Sequence, residues 1–102
     1  MPVRYSVRYD ERCDCNIVEF EIVGGVLDTS ELVEAVESAP GVDTTKGVCL
    51  SGRGPVWLYC ALAHKYHPTA WVGTFEPRKN ACVVVESHIP EKKLGELIPV
   101  EK

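Results

Sequence analysis

The sequence predicts a small α/β domain with a mixed sheet, and three observations carry that prediction. A short apolar run at residues 47–50 breaks into Ser51-Gly52-Arg53-Gly54-Pro55 and resumes with helical periodicity up to His67, the order of a buried strand, a tight loop and a helix. Two more β-rich runs follow, at residues 70–75 and 81–85, and two alternating runs open the chain. With 102 residues there is room for one domain, residues 1–102, around one core that needs neither metal nor disulfide staples.

Each element has its own signal. Residues 3–9 alternate apolar or aromatic with polar side chains, residues 10–16 are turn-like, and residues 17–23 alternate again, so an N-terminal antiparallel hairpin is expected. Gly24-Gly25 breaks it. Asp28 followed by Glu31 has the spacing of a capping box, and Leu32, Val33 and Val36 form an apolar stripe, predicting a first helix to about Ser38 that Pro40 and Gly41 end. Pro55 suits the first position of the second helix, where its missing N–H costs nothing. That helix, to about Tyr66, turns Trp57, Leu58, Ala61 and Leu62 to the core. Residues 77–80 make a tight turn between the last two long strands, and the tail from Pro90 holds enough apolar residues for one short final element.

Charge and cysteine usage bound the function. The formal charge is −4, which disfavours a general binder of long nucleic acid. Yet residues 44–88 carry five basic against two acidic side chains, a balance of +3, and hold all three histidines, while the rest stands at −7. That pattern fits a local anion site on an acidic body, or a merely solvated surface. No run approaches the roughly 20 apolar residues of a membrane span, and the N-terminus lacks a signal-peptide core, so a cytoplasmic protein is expected. Five cysteines, three of them in apolar runs, are read as buried reduced thiols, with Cys13 and Cys15 in a turn.

Geometry then sorts the candidate residues. A strand, helix and following strand imply a right-handed parallel crossover. The loop Ser51, Gly52, Arg53, Gly54 then lies at the carboxyl edge of the sheet, where helix N–H groups and an arginine fork favour an anion, and Glu76 and Arg78 share that edge. A helix of twelve residues rises roughly 18 Å, which puts His67 at the opposite end. The last strand runs back, so its end, His88, is expected beside His67. Arg53 and His67 of one chain are then too far apart to act on one phosphate. Either binding and chemistry occupy different ends, or a second copy joined head to tail brings Glu76 and Arg78 to its neighbour's His67 and His88. Plainer readings fit the same residues: a structural turn feeding a core helix, a surface ion pair across Pro77, a surface histidine at position 64, and a cation suited to the helix C-terminus at His67.

Residues 42–88, VDTTKGVCLSGRGPVWLYCALAHKYHPTAWVGTFEPRKNACVVVESH, closely resemble the small CRISPR-associated ring nucleases of type III systems, the third family of the Csx series. The combination SGRGP, LAHKYH, PR and SH, in this order and spacing, carries the resemblance across nearly half the chain. It implies a compact Rossmann-like fold distantly similar to CARF sensor domains. It also implies a homodimer that binds cyclic tetra-adenylate and assembles further, into a tetramer or a head-to-tail filament, with manganese-dependent cleavage on a different face from binding. Carried over by position, Ser51, Gly52, Arg53 and Gly54 belong to the ligand-binding loop, and His67, Glu76, Arg78 and His88 to the reactive site, with Glu76 and His88 as metal ligands. Glu76 stands where aspartate is expected, and its longer arm would move a metal ligand by about a methylene. Alternative readings are an exonuclease trimming adenylates from RNA 3′ ends and a sensor that binds the cyclic messenger without cutting it.

Overall fold

A computed structural model describes residues 1–100. The alternating N-terminal runs form β1 (Val3–Asp10) and β2 (Cys15–Ile22), antiparallel, with Val3 opposite Ile22 and Asp10 opposite Cys15. Buried Asp10 holds their turn by accepting from the Arg12 and Cys13 N–H groups at 2.8 and 3.3 Å. The capping box is present. The Asp28 carboxylate accepts from the Ser30 N–H and the Glu31 carboxylate from the Asp28 N–H, each at 2.9 Å. It opens a single 3-10 turn, Thr29–Glu31, that runs into α1 (Leu32–Glu37), and here the expected stripe is corrected: Ala35 is the buried position and Val33 is exposed.

Next come β3 (Gly47–Gly52), α2 (Val56–Lys65), β4 (Trp71–Glu76), β5 (Ala81–Ser87) and β6 (Leu97–Pro99). Pro55 is the residue before α2 rather than its first turn; its backbone is extended, and its carbonyl accepts from the Leu58 and Tyr59 N–H groups. The six strands lie in the order β1-β2-β3-β4-β5-β6. Only β2–β3 and β3–β4 are parallel, so the sheet is mixed and the domain is small α/β.

Both parallel crossovers step the same way across the sheet, so by their common handedness both helices fall on one face. Lys65 Nζ donates to the Val36 and Ala39 carbonyls at 2.7 and 2.8 Å, and the Tyr66 hydroxyl to the Pro40 carbonyl at 2.5 Å, joining α2 to the end of α1. The strand order follows the chain order throughout, so the sheet does not reverse direction between neighbouring crossovers. Beneath the helices lie Val18, Phe20, Leu50 and Val72 of the sheet, against Leu58 and Leu62, whose complete burial stabilises by about 1.5–3 kcal/mol each. The opposite face buries Ile17, Trp71 and Val84 under Ile98 and Val100, so the tail's final element is a strand closing a second core.

The cysteines depart from expectation. Cys13 is joined to Cys15, and Cys49 to Cys82, leaving Cys60 free and exposed. Asp14, in the left-handed region at φ 52°, turns the backbone between the first pair. For the second pair the cause is Gly73, which lies opposite Cys49 in β4; a Cβ there would come within 2.6 Å of the Cys82 sulfur, so its absence lets side chains from the two flanking strands meet. Among the described residues no helix is long and apolar enough to cross a membrane.

Candidate functional site

His67 follows the C-terminal turn of α2, where the buried Tyr66 ring and the buried Thr69 hydroxyl fix the chain; Thr69 Oγ1 donates to the Tyr66 carbonyl at 2.7 Å. His88 continues β5, and its N–H donates to the Ala70 carbonyl at 2.9 Å, extending the β4–β5 pairing past the end of both strands. The two imidazoles therefore meet. Their ring centroids are 4.6 Å apart, edge to face at 83°.

A third side chain joins them. The β4–β5 register runs Gly73 opposite Val84, then Val72 opposite Glu86, so Val85 is an extra residue, a β-bulge. Without it Glu86 would point to the same face as Trp71; with it Glu86 shares the helix face with Val72 and reaches His67. Glu86 Oε1 lies 3.0 Å from His67 Nδ1 and 3.6 Å from His88 Nε2, and the two nitrogens are 3.3 Å apart. All three side chains are open to solvent on one side, with exposures of 54, 33 and 44 % for His67, Glu86 and His88. Bonds of about 2.0–2.2 Å to a divalent ion place neighbouring donors about 3.0 Å apart at a right angle and about 3.4 Å apart at a tetrahedral angle. The three side chains fit such an ion.

The glycine loop lies at the other end. Glu76 pairs with Ala81 and Trp71 with Ser87, so along the hairpin roughly 17 Å separates Glu76 from the histidines at about 3.3 Å per residue. Glu76 and Arg78 do not form an ion pair. The Glu76 carboxylate instead accepts from the Arg78 N–H at 3.1 Å, and among the described residues the Arg78 and Arg53 guanidinium groups make no hydrogen bond or salt bridge. Buried Ser51 and exposed Arg53 line a cavity of about 510 Å³ with Val56, Tyr59, Phe75 and Pro77.

The glycines of this loop serve internal packing. A Cβ on Gly52 would meet the Phe20 ring at 2.7 Å, and one on Gly54 would meet Phe20 at 3.0 Å and Leu58 at 3.2 Å. The Tyr59 hydroxyl bridges the Gly52 N–H, at 3.1 Å, and its carbonyl. Arg53 is thus presented on a backbone clamped from below.

The family model of CRISPR-associated protein Cas_csx3 matches residues 22–99. The chain belongs to the Cas_csx3 family. It is also 38% identical over 100 residues to an uncharacterized protein of Aquifex aeolicus, covering 97% of this chain and 89% of that one. The matched segment contains every candidate residue at both ends of this Cas_csx3 domain, from Ser51 to His88.

Sequence reasoning separated these residues as the structure does: His67 with His88 at one end, and Ser51, Gly52, Arg53, Gly54, Glu76 and Arg78 at the other. It missed Glu86. The available signal was its spacing of two from His88, which puts both on one face of an extended chain.

Proposed function

We propose that this Cas_csx3 protein is a ring nuclease that binds cyclic tetra-adenylate and opens it, ending type III CRISPR signalling. The observation that supports the reading best is the pair of convergent, solvent-facing imidazoles at the end of α2, opposite a loop whose Arg53 guanidinium has no hydrogen bond or salt bridge among the described residues. Binding and cutting are separate tasks on separate ends, joined between copies.

At the loop end, Arg53 offers two parallel N–H donors to a phosphate, and the cavity beside it accepts an apolar or aromatic group. At the histidine end, cleavage of a 3′,5′-phosphodiester needs a proton moved from the attacking hydroxyl or water and charge stabilised on the phosphate. Imidazole performs proton transfer near neutral pH, and His67 takes that role. Arg78 of a neighbouring copy stabilises the negative charge gathering on the phosphate oxygens. His88 and the neighbour's Glu76 would hold manganese, which when bound would polarise the phosphate.

Incubating the purified chain with cyclic tetra-adenylate, with and without manganese, and resolving products by chromatography tests the reading. Linear adenylates formed only with metal are expected. Retention of intact ring at every metal concentration, with the ring still bound, would replace the nuclease with a sensor.

A further inference from the structure

We infer that the Cys13–Cys15 pair is a thiol–disulfide exchange site open to small thiols of the glutathione class, and that its opening is transmitted to His88. The two disulfides of the chain differ in character. Cys49 and Cys82 have no exposed surface, and their bond spans 33 residues and ties β3 to β5. Cys13 and Cys15 stand 2 residues apart, so their bond closes a ring within one turn, and opening it leaves the β1–β2 pairing in place. Access differs too. Cys13 keeps 6 % exposure and lines a cavity of about 140 Å³ with Asp14, Lys46, Ala70 and Lys92, whereas Cys15 is fully buried. That cavity carries two ammonium groups, Lys46 and Lys92, against one carboxylate, Asp14, a balance that favours an incoming thiolate.

The thiolate attacks the Cys13 sulfur and expels the Cys15 sulfur, which takes up a proton, leaving a mixed disulfide on Cys13. A second small thiol attacks the outer sulfur of that adduct, releasing the symmetrical small disulfide and Cys13 as a thiol. Two thiols are oxidised and one protein disulfide is reduced. The new thiol has acceptors in place, because the Asp10 and Cys15 carbonyl oxygens lie 3.6 and 3.7 Å from the Cys13 sulfur. The ring also holds Asp14 at φ 52°. The Asp14 carboxylate accepts from Lys46 Nζ at 2.9 Å, the Lys46 carbonyl from the Ala70 N–H at 3.2 Å, and the Ala70 carbonyl from the His88 N–H at 2.9 Å. Opening the ring frees Asp14 to leave the left-handed region, and the shift passes along these bonds to the histidine end.

The site is independent of the proposed nuclease, and its test needs no nucleotide. The oxidised full chain is equilibrated in buffers of rising reduced-to-oxidised glutathione ratio, quenched in acid, alkylated and mapped by fragment-level mass analysis. Cys13 and Cys15 are expected to become labelled together, at a ratio at least about 10-fold lower than Cys49 and Cys82. In a Cys60→Ser background, Cys15→Ser is expected to retain one glutathione on Cys13 and Cys13→Ser none, with thermal melting showing that both fold. At the ratio that opens only the first pair, the amide resonances of Ala70 and His88 are expected to shift while that of His64, on α2, stays in place. Reduction of both disulfides at one ratio, reduction of Cys49–Cys82 first, or a folded Cys15→Ser protein without the adduct would overturn the exchange site. A His88 amide that does not move when the ring opens would overturn the transmission.

Discussion

The Nδ1 atom of His67 and the Nε2 atom of His88 lie 3.3 Å apart, although 21 residues of chain separate them. The contact follows from two lengths: α2 returns the chain to the end of the sheet where β4 begins, and β5 retraces β4 to the same point. Replacing either imidazole removes the convergence without touching the core, since both side chains are exposed. His67→Ala is expected to lower turnover of cyclic tetra-adenylate by about 100-fold or more, the scale of a lost proton-transfer group, with an unchanged melting temperature. Full turnover in that variant would take His67 out of the mechanism.

Gly47 opens β3 where the Trp71 indole crosses it, and an added Cβ would fall inside that ring. Trp71 is buried in the second core, so it has little room to move. Gly47→Ala is expected to cost about 2–3 kcal/mol in chemical denaturation, as overpacking does. Gly41→Ala, where a Cβ meets nothing within 4 Å, serves as the comparison and is expected to be near neutral.

How much of this was legible in the sequence depended on whether a property was local. Asp28 and Glu31 announced their capping box because both partners lie within one turn. The separation of Arg53 from His67 was legible from helix length alone. The Val85 bulge was not, because alternation in residues 81–85 does not reveal a register shift set by the facing strand. Nor did the glycines of the loop disclose their purpose: Gly52 yields space to Phe20, a residue 32 positions earlier in the sequence. The cysteine pairing failed for the same reason, since it depends on Gly73 in a strand that contains neither sulfur.

That pairing gives a simple measurement. Alkylation of the denatured, unreduced protein followed by mass analysis is expected to label one of the five cysteines, Cys60. Labelling of all five would restore the reduced thiols that composition suggested.

Tyr5 ties β1 to α1 by donating its hydroxyl to the Ala35 carbonyl at 2.6 Å, and burial pushes its phenol up to about 12. A raised folded-state value means the unfolded chain releases this proton first. The stabilising contribution is therefore complete below about pH 10, the ordinary value for tyrosine, and is lost as pH rises toward 12. Unfolding free energy by denaturant titration is expected to fall across that window, and to fall less steeply in Tyr5→Phe. Equal slopes in the two proteins would assign the alkaline loss to other groups.

Roughly 17 Å of hairpin lies between Arg78 and the histidines of its own chain, so a site using both must draw them from different copies. Mixing two dead variants tests this directly. His67→Ala retains a sound Arg78 end, and Arg78→Ala retains sound histidines. Where one variant's Arg78 end meets the other's histidine end, a complete site forms. With random pairing that is roughly one contact in four for head-to-tail assembly. Each variant alone is expected to show background turnover, and the equimolar mixture about a quarter of the wild-type rate. No recovery in a mixture shown by sedimentation to co-assemble would mean that the two ends do not share a reaction, leaving Arg78 to bind the messenger beside Arg53 instead of helping to cleave it.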